Sequence, residues 1–100
     1  KDPDGYYKLA VIYFEEGDYL NAFEQITISI NKEINNTEGF YISGFDNISR
    51  VELEDLYFLR SEIAFKLMGK NDKSCEDLNK AIELDSQNVL IKEKINEICN

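Results

Sequence analysis

The chain has 100 residues, 43% of them hydrophobic and 12% aromatic, which is one domain's worth of sequence with enough apolar surface for a core. A net charge of −9 argues against nucleic acid and against an anionic membrane surface, since both need clustered Lys and Arg. Histidine is absent, which removes the usual general base and the commonest metal ligand, and no apolar run of about 18 residues is present to cross a bilayer.

Asp2-Pro3-Asp4-Gly5 predicts a helix entry, with Asp2 as cap, Pro3 in the first helical position and Asp4 at the positive end of the dipole. Tyr6, Leu9, Ala10 and Tyr13 follow at helical spacing as far as the break at Glu16-Gly17-Asp18. Asp18 is a good cap for a second helix whose apolar face is Tyr19, Ala22, Phe23, Ile26 and Ile30. Within it, Ile26-Thr27-Ile28-Ser29-Ile30 also alternates with period two and is β-branched, so a strand pairing with Phe40-Tyr41-Ile42-Ser43 is the competing reading. Helix is preferred, because packing overrides weak propensity.

An Asn-, Gly- and Ser-rich segment leads to a second unit. Ser49-Arg50-Val51-Glu52 matches a capping box, with Ser49 as cap. Leu53, Leu56, Tyr57, Ile63, Ala64 and Leu67 then mark a helix ending at Gly69. Asn71 or Asp72 can cap the next, which carries Cys75, Leu78, Ala81 and Ile82. After Asp85-Ser86-Gln87-Asn88, a last amphipathic stretch carries Ile91, Ile95, Ile98 and Cys99. Five helices result, in two pairs and a terminal one, and the fold class is all-α.

The chemistry-bearing residues are sparse. Glu15-Glu16, the group Glu52, Glu54 and Asp55, and Glu76-Asp77 fit solvated helix faces, and no phosphate-cradling loop, EF-hand or Ser/His/Asp set is present. No metal or cofactor is expected, and the chain reads as a non-enzyme. Cys75 lies about ten residues before the Asp85–Asn88 turn and Cys99 about eleven after it, a similar height on antiparallel helices at ~1.5 Å per residue. Two readings stay open: a disulfide, which favours an exported protein, or two small buried apolar groups in a reducing cytosol. Asn35-Asn36-Thr37 and Asn47-Ile48-Ser49 match the glycosylation sequon, as an Asn-rich stretch does by chance.

Tyr6-x-x-Leu9-Ala10-x-x-Tyr13-x-x-x-Gly17-x-Tyr19-x-x-Ala22-x-x-x-Ile26 resembles the tetratricopeptide repeat, a helix–turn–helix unit of about 34 residues. Tyr57-x-x-Arg60-Ser61, Gly69 and Asp77-Leu78-Asn79-Lys80-Ala81-Ile82-Glu83-Leu84 resemble a second copy. The pattern departs from the family in three ways. Tyr6 and Tyr57 lie 51 positions apart, Ser29 and Ser74 stand at alanine positions, and Ile34 and Ser86 replace the closing proline. The resemblance implies a right-handed solenoid segment: repeat one over about 3–34, an insertion over about 35–48, repeat two over about 49–86 and a capping helix over about 88–100.

It also implies a function. In this family the first helix of each pair lines a concave groove, which places Tyr7, Val11, Phe14 and Glu15 there from the first repeat and Phe58, Glu62, Phe65 and Lys66 from the second. The expected partner is a protein or peptide with basic and apolar side chains. Packing of Phe58 and Phe65 on Phe40, Tyr41 and Phe45 of the insertion is the competing use of these aromatics. Tyr7 and Val11 stand where a chaperone-tail carboxylate clamp needs Asn and Lys, so no such clamp is expected. Arg60 opposite Asp77 implies a structural ion pair, against the alternative of a solvated arginine. Two repeats are few for a stable array, and the chain opens at Lys1. Upstream repeats, or self-association through the N-terminal face, would supply the missing cover. The second functional reading is a purely structural segment of a larger or envelope-associated protein.

Overall fold

The structure is a computed structural model that describes residues 3–34, 40–43, 48–69 and 71–99. Helix α1 spans Pro3–Glu15; the Asp2 cap lies outside the described residues. The helix closes at Gly17, whose φ of +83° is open to glycine at no steric cost. There the Asp18 amide reaches back to the Tyr13 carbonyl at 2.8 Å, the long bond of a helix-ending Schellman turn. Helix α2, Tyr19–Ile34, starts directly after, and Asp18 accepts from the Asn21 side-chain amide at 2.7 Å.

Ile26–Ile30 is helical. Ala22, Ile26 and Ile30 fall on one stripe and are fully buried, and that burial outweighs the β-branched alternation. Phe40–Ser43 does form a strand, β1, but its antiparallel partner is β2, Ile48–Val51, with Phe40 opposite Val51 and Ser43 opposite Ile48. The insertion is therefore a small hairpin, and its first strand lies against α1. The sequons at Asn35 and Asn47 fall outside the described residues.

Because β2 takes residues 48–51, the cap predicted at Ser49 moves three positions on. Helix α3 spans Leu53–Met68, and its cap residue is Glu52, whose amide donates to Asp55 Oδ2 at 2.9 Å. Helix α4 is Asp72–Leu84, capped by Asn71, whose Oδ1 accepts from the Ser74 amide at 2.7 Å. Helix α5, Val89–Ile98, is capped by Asn88, which accepts from the Ile91 amide at 3.1 Å.

The helices pack in sequence, α1 on α2, α2 on α3, α3 on α4 and α4 on α5, around one core. Ala10 and Ala22 let α1 and α2 approach closely, as Ala64 and Ala81 do for α3 and α4. Ile26, Ile30, Leu56, Ile63 and Leu78 fill the centre, each worth about 1.5–3 kcal/mol of burial. Lys32 lies over the Tyr6 ring at 5.7 Å and ties the far ends of α1 and α2 together. Two members of the predicted apolar faces point outward: Leu9 and Leu67 are exposed. The buried serines have partners of their own; Ser61 Oγ donates to the Phe58 carbonyl, and Ser74 Oγ to the Ser61 carbonyl on the facing helix.

Candidate protein-binding surface

Arg60 sits in the interior, 8% exposed, and its charge is met on several sides. Its Nε and Nη2 donate to the two Asp77 carboxylate oxygens at 2.8 and 3.0 Å, the bidentate fork that a guanidinium favours. Nη1 donates to Thr27 Oγ1 at 3.1 Å, and the cation lies 5.7 and 5.8 Å from the Phe23 and Tyr57 ring centres. Lys73 approaches the same aspartate at 3.7 Å. Together, these contacts join α2, α3 and α4. A polar crevice of about 340 Å³ opens beside them, walled by Tyr57 and Arg60 of α3 and by Lys73, Asp77 and Lys80 of α4. The sequence reading did not anticipate it.

Cys75 and Cys99 are joined by a disulfide, with Cα atoms 5.7 Å apart. The bond ties the residue after α5 to the start of α4, and both cysteines are half-buried.

The eight groove candidates divide by burial. Tyr7 and Phe14 on α1 and Phe58 on α3 are half-buried and packed on the core; Phe14 meets the Tyr19 ring at 5.6 Å between centres. Val11 and Glu62 are half-buried, whereas Glu15, Phe65 and Lys66 are exposed. Phe65, at 37%, is the one aromatic of the set that faces out. Phe45 and the side chains of Phe40 and Tyr41 fall outside what is described, so packing of Phe58 and Phe65 on them does too.

Electrostatics links the first helix of each pair. Burial, then the Asp55 carboxylate on α3, push the Tyr7 phenol on α1 above its ordinary value. Burial also raises the Asp55 carboxyl; the Glu52 amide opposes the rise, and the Glu52 and Asp85 charges add to it. Burial raises Glu54 as well; its own backbone amide opposes the rise, and the Glu52, Asp55 and Asp85 charges add to it. Farther along α3, burial raises Glu62, while Lys94 on α5 and Lys66 pull it back. A slot of about 80 Å³ lies between Asp55 and Phe58 of α3 and Asn88, Leu90 and Ile91 at the start of α5. Sequence reasoning missed the α5 side of it. The available signal was Val89-Leu90, two apolar residues too many for a helix that needs only Ile91, Ile95 and Ile98 to dock.

The tetratricopeptide repeat family model matches residues 3–27 and 54–88, more than half of the chain and both helix pairs. The chain belongs to the tetratricopeptide repeat family. Members of that family generally mediate protein–protein interaction as non-catalytic scaffolds. Comparison with curated proteins returns no match. Among the described residues of this tetratricopeptide protein, no three His, Cys, Asp or Glu side chains gather to hold a metal, and no helix is long and apolar enough to cross a membrane.

Proposed function

We propose that this chain is a non-catalytic docking module that holds an extended or helical segment of a partner protein along α1, α3 and α5. The observation that carries the reading is the slot between α3 and α5, apolar on Phe58, Leu90 and Ile91 and acidic at Asp55, whose charge also acts on Tyr7 of α1. Tyr7, Val11, Phe14, Glu15, Phe58, Glu62, Phe65 and Lys66 are its proposed contact residues. The partner is basic and apolar, because the Glu52 and Asp85 charges lie near enough to Glu54 and Asp55 to act on both, which gathers negative charge at one end of the slot. Residues 3–34 and 49–86 act as two repeats joined by the insertion at 35–48 and closed by 88–100. Leu9, Ile12 and Leu20, exposed on the first helix pair, favour self-association there as a second contact. The disulfide favours an oxidising compartment over the cytosol.

A short peptide of alternating Lys and Leu, titrated calorimetrically against the oxidised protein, tests the reading, with a Glu/Leu peptide as control. Phe65→Ala with Leu90→Ala should weaken binding at least about tenfold, since exposed aromatic and aliphatic anchors carry interface energy. Leu90 is 65% exposed and Phe65 37%, so the double change should cost no more than about 2 kcal/mol and leave the chain folded. Undiminished binding by the double variant, or equal binding of the acidic peptide, would sink the reading. The alternative, a structural segment with no groove ligand, draws support from Phe14 and Phe58, whose rings are partly engaged in the core.

A further inference from the structure

We infer that the Cys75–Cys99 disulfide is a redox latch on the groove: oxidised, it pins α5 in place and keeps the slot between α3 and α5 formed; reduced, it lets α5 leave. The regulatory part of this inference rests on the groove reading above; the latch itself does not.

Helix α5 has ten residues, too few to be stable in water without tertiary support. Its main packing partner is α4; Ile91 and Ile98 are buried, and Ile95 is partly buried against the core. Val89 and Leu90 are 63% and 65% exposed and contribute little to docking. The Lys94–Glu97 pair, 3.3 Å apart on the surface, adds almost nothing. The disulfide therefore supplies a large share of what holds the helix down. It acts at the end of α5 remote from the Asp85–Asn88 turn, next to the buried Ile98. Opening a covalent loop of this length releases entropy worth roughly a hundredfold in the equilibrium between docked and undocked α5.

Both cysteine residues are half-buried, and the proposed reductant is a dithiol. One reductant thiolate attacks a sulfur of the bond and forms a mixed disulfide as the other cysteine leaves as thiolate. The second reductant thiol, deprotonated, displaces the remaining cysteine. Two electrons and two protons pass to the protein, giving Cys75 and Cys99 thiols and a reductant with an internal disulfide. Release of α5 takes Ile91, Ile95 and Ile98 out of the core and leaves the packing of α1 to α4 in place. The slot changes, because Asn88, Leu90 and Ile91 are one of its two walls.

Hydrogen exchange read by mass spectrometry on the full chain, oxidised, reduced with dithiothreitol, and as the Cys75→Ser/Cys99→Ser variant, tests the latch. Amides of residues 89–98 should exchange about 100-fold faster in the last two states, with α1 and α2 unchanged. Unaltered protection in α5, or loss of protection throughout the chain, overturns the inference. In parallel, the Lys/Leu peptide is titrated against oxidised and reduced protein. Affinity at least tenfold lower after reduction supports control of the groove; equal affinity with α5 released overturns that control. Failure of the oxidised protein to bind the peptide counts against the groove reading alone, since the exchange experiment decides the latch without it.

Discussion

Asp77 is 1% exposed and takes both arms of the Arg60 fork, so the two charges stand or fall together. Asp77→Ala strands a buried guanidinium and should cost about 3–5 kcal/mol in a urea titration. The double change Arg60→Met with Asp77→Leu removes both charges and keeps much of the volume, so it should cost less than the single one. A double variant that is the weaker of the two would mean that the pair is net stabilising beyond the cost of stranding its partner. The carboxylates at the start of α3 behave differently. Glu54 titrates above its ordinary value, so the folded state binds its proton more readily than the unfolded state does. Its contribution to stability is then full in acid, below the unfolded pKa, and is lost as pH rises through the folded pKa. Glu54→Gln should raise Tm near about pH 7 and leave it unchanged near about pH 3, where the native side chain is already neutral. A gain of equal size at both values would assign the effect to something other than charge.

Among the elements, the junction of α3 and α4 is the most tightly specified. Asn71 caps α4 with its oxygen while its Nδ2 donates to the Ala64 carbonyl near the end of α3 and to the Gly69 carbonyl just beyond it. Asn88 performs the first task for α5 and pairs with Asp85 at 3.2 Å. Replacement by Ala should cost about 1 kcal/mol at Asn88 and more at Asn71, read as a difference in thermal unfolding. Equal losses would show that the Ala64 and Gly69 carbonyls find water as readily as they find Asn71. The Asn71 cap was legible because a cap is a local motif. The same rule misplaced the start of α3, where Ser49-x-x-Glu52 has the spacing of a capping box. Strand β2 occupies those positions, and the working motif is Glu52 with Asp55. A strand that exists only through its pairing partner leaves too weak a local signal to warn of the error. Ile26–Ile30 is the converse case, where local β-branching pointed to a strand and burial along the Ala22–Ile30 stripe decided for helix.

At the scale of the whole molecule, the two helix pairs and the terminal helix were readable because each apolar stripe repeats every three or four residues. The surface they build together was less so. Which face of α3 meets α5 depends on the angle at the Asp85–Asn88 turn, and no spacing within either helix encodes it. Tyr7 and Phe14 share a face of α1 by spacing and Phe58 takes a like place on α3, yet each also turns part of its ring to the core, which periodicity alone does not report. One consequence of the Cys75–Cys99 bond concerns proteolysis. Ser86 and Gln87 are exposed at the turn between α4 and α5, a natural place for a protease to cut. The disulfide bridges that turn from both sides. A single cut there adds one water and frees nothing: α5 stays attached through sulfur, and the nicked protein keeps all its residues until a reductant arrives.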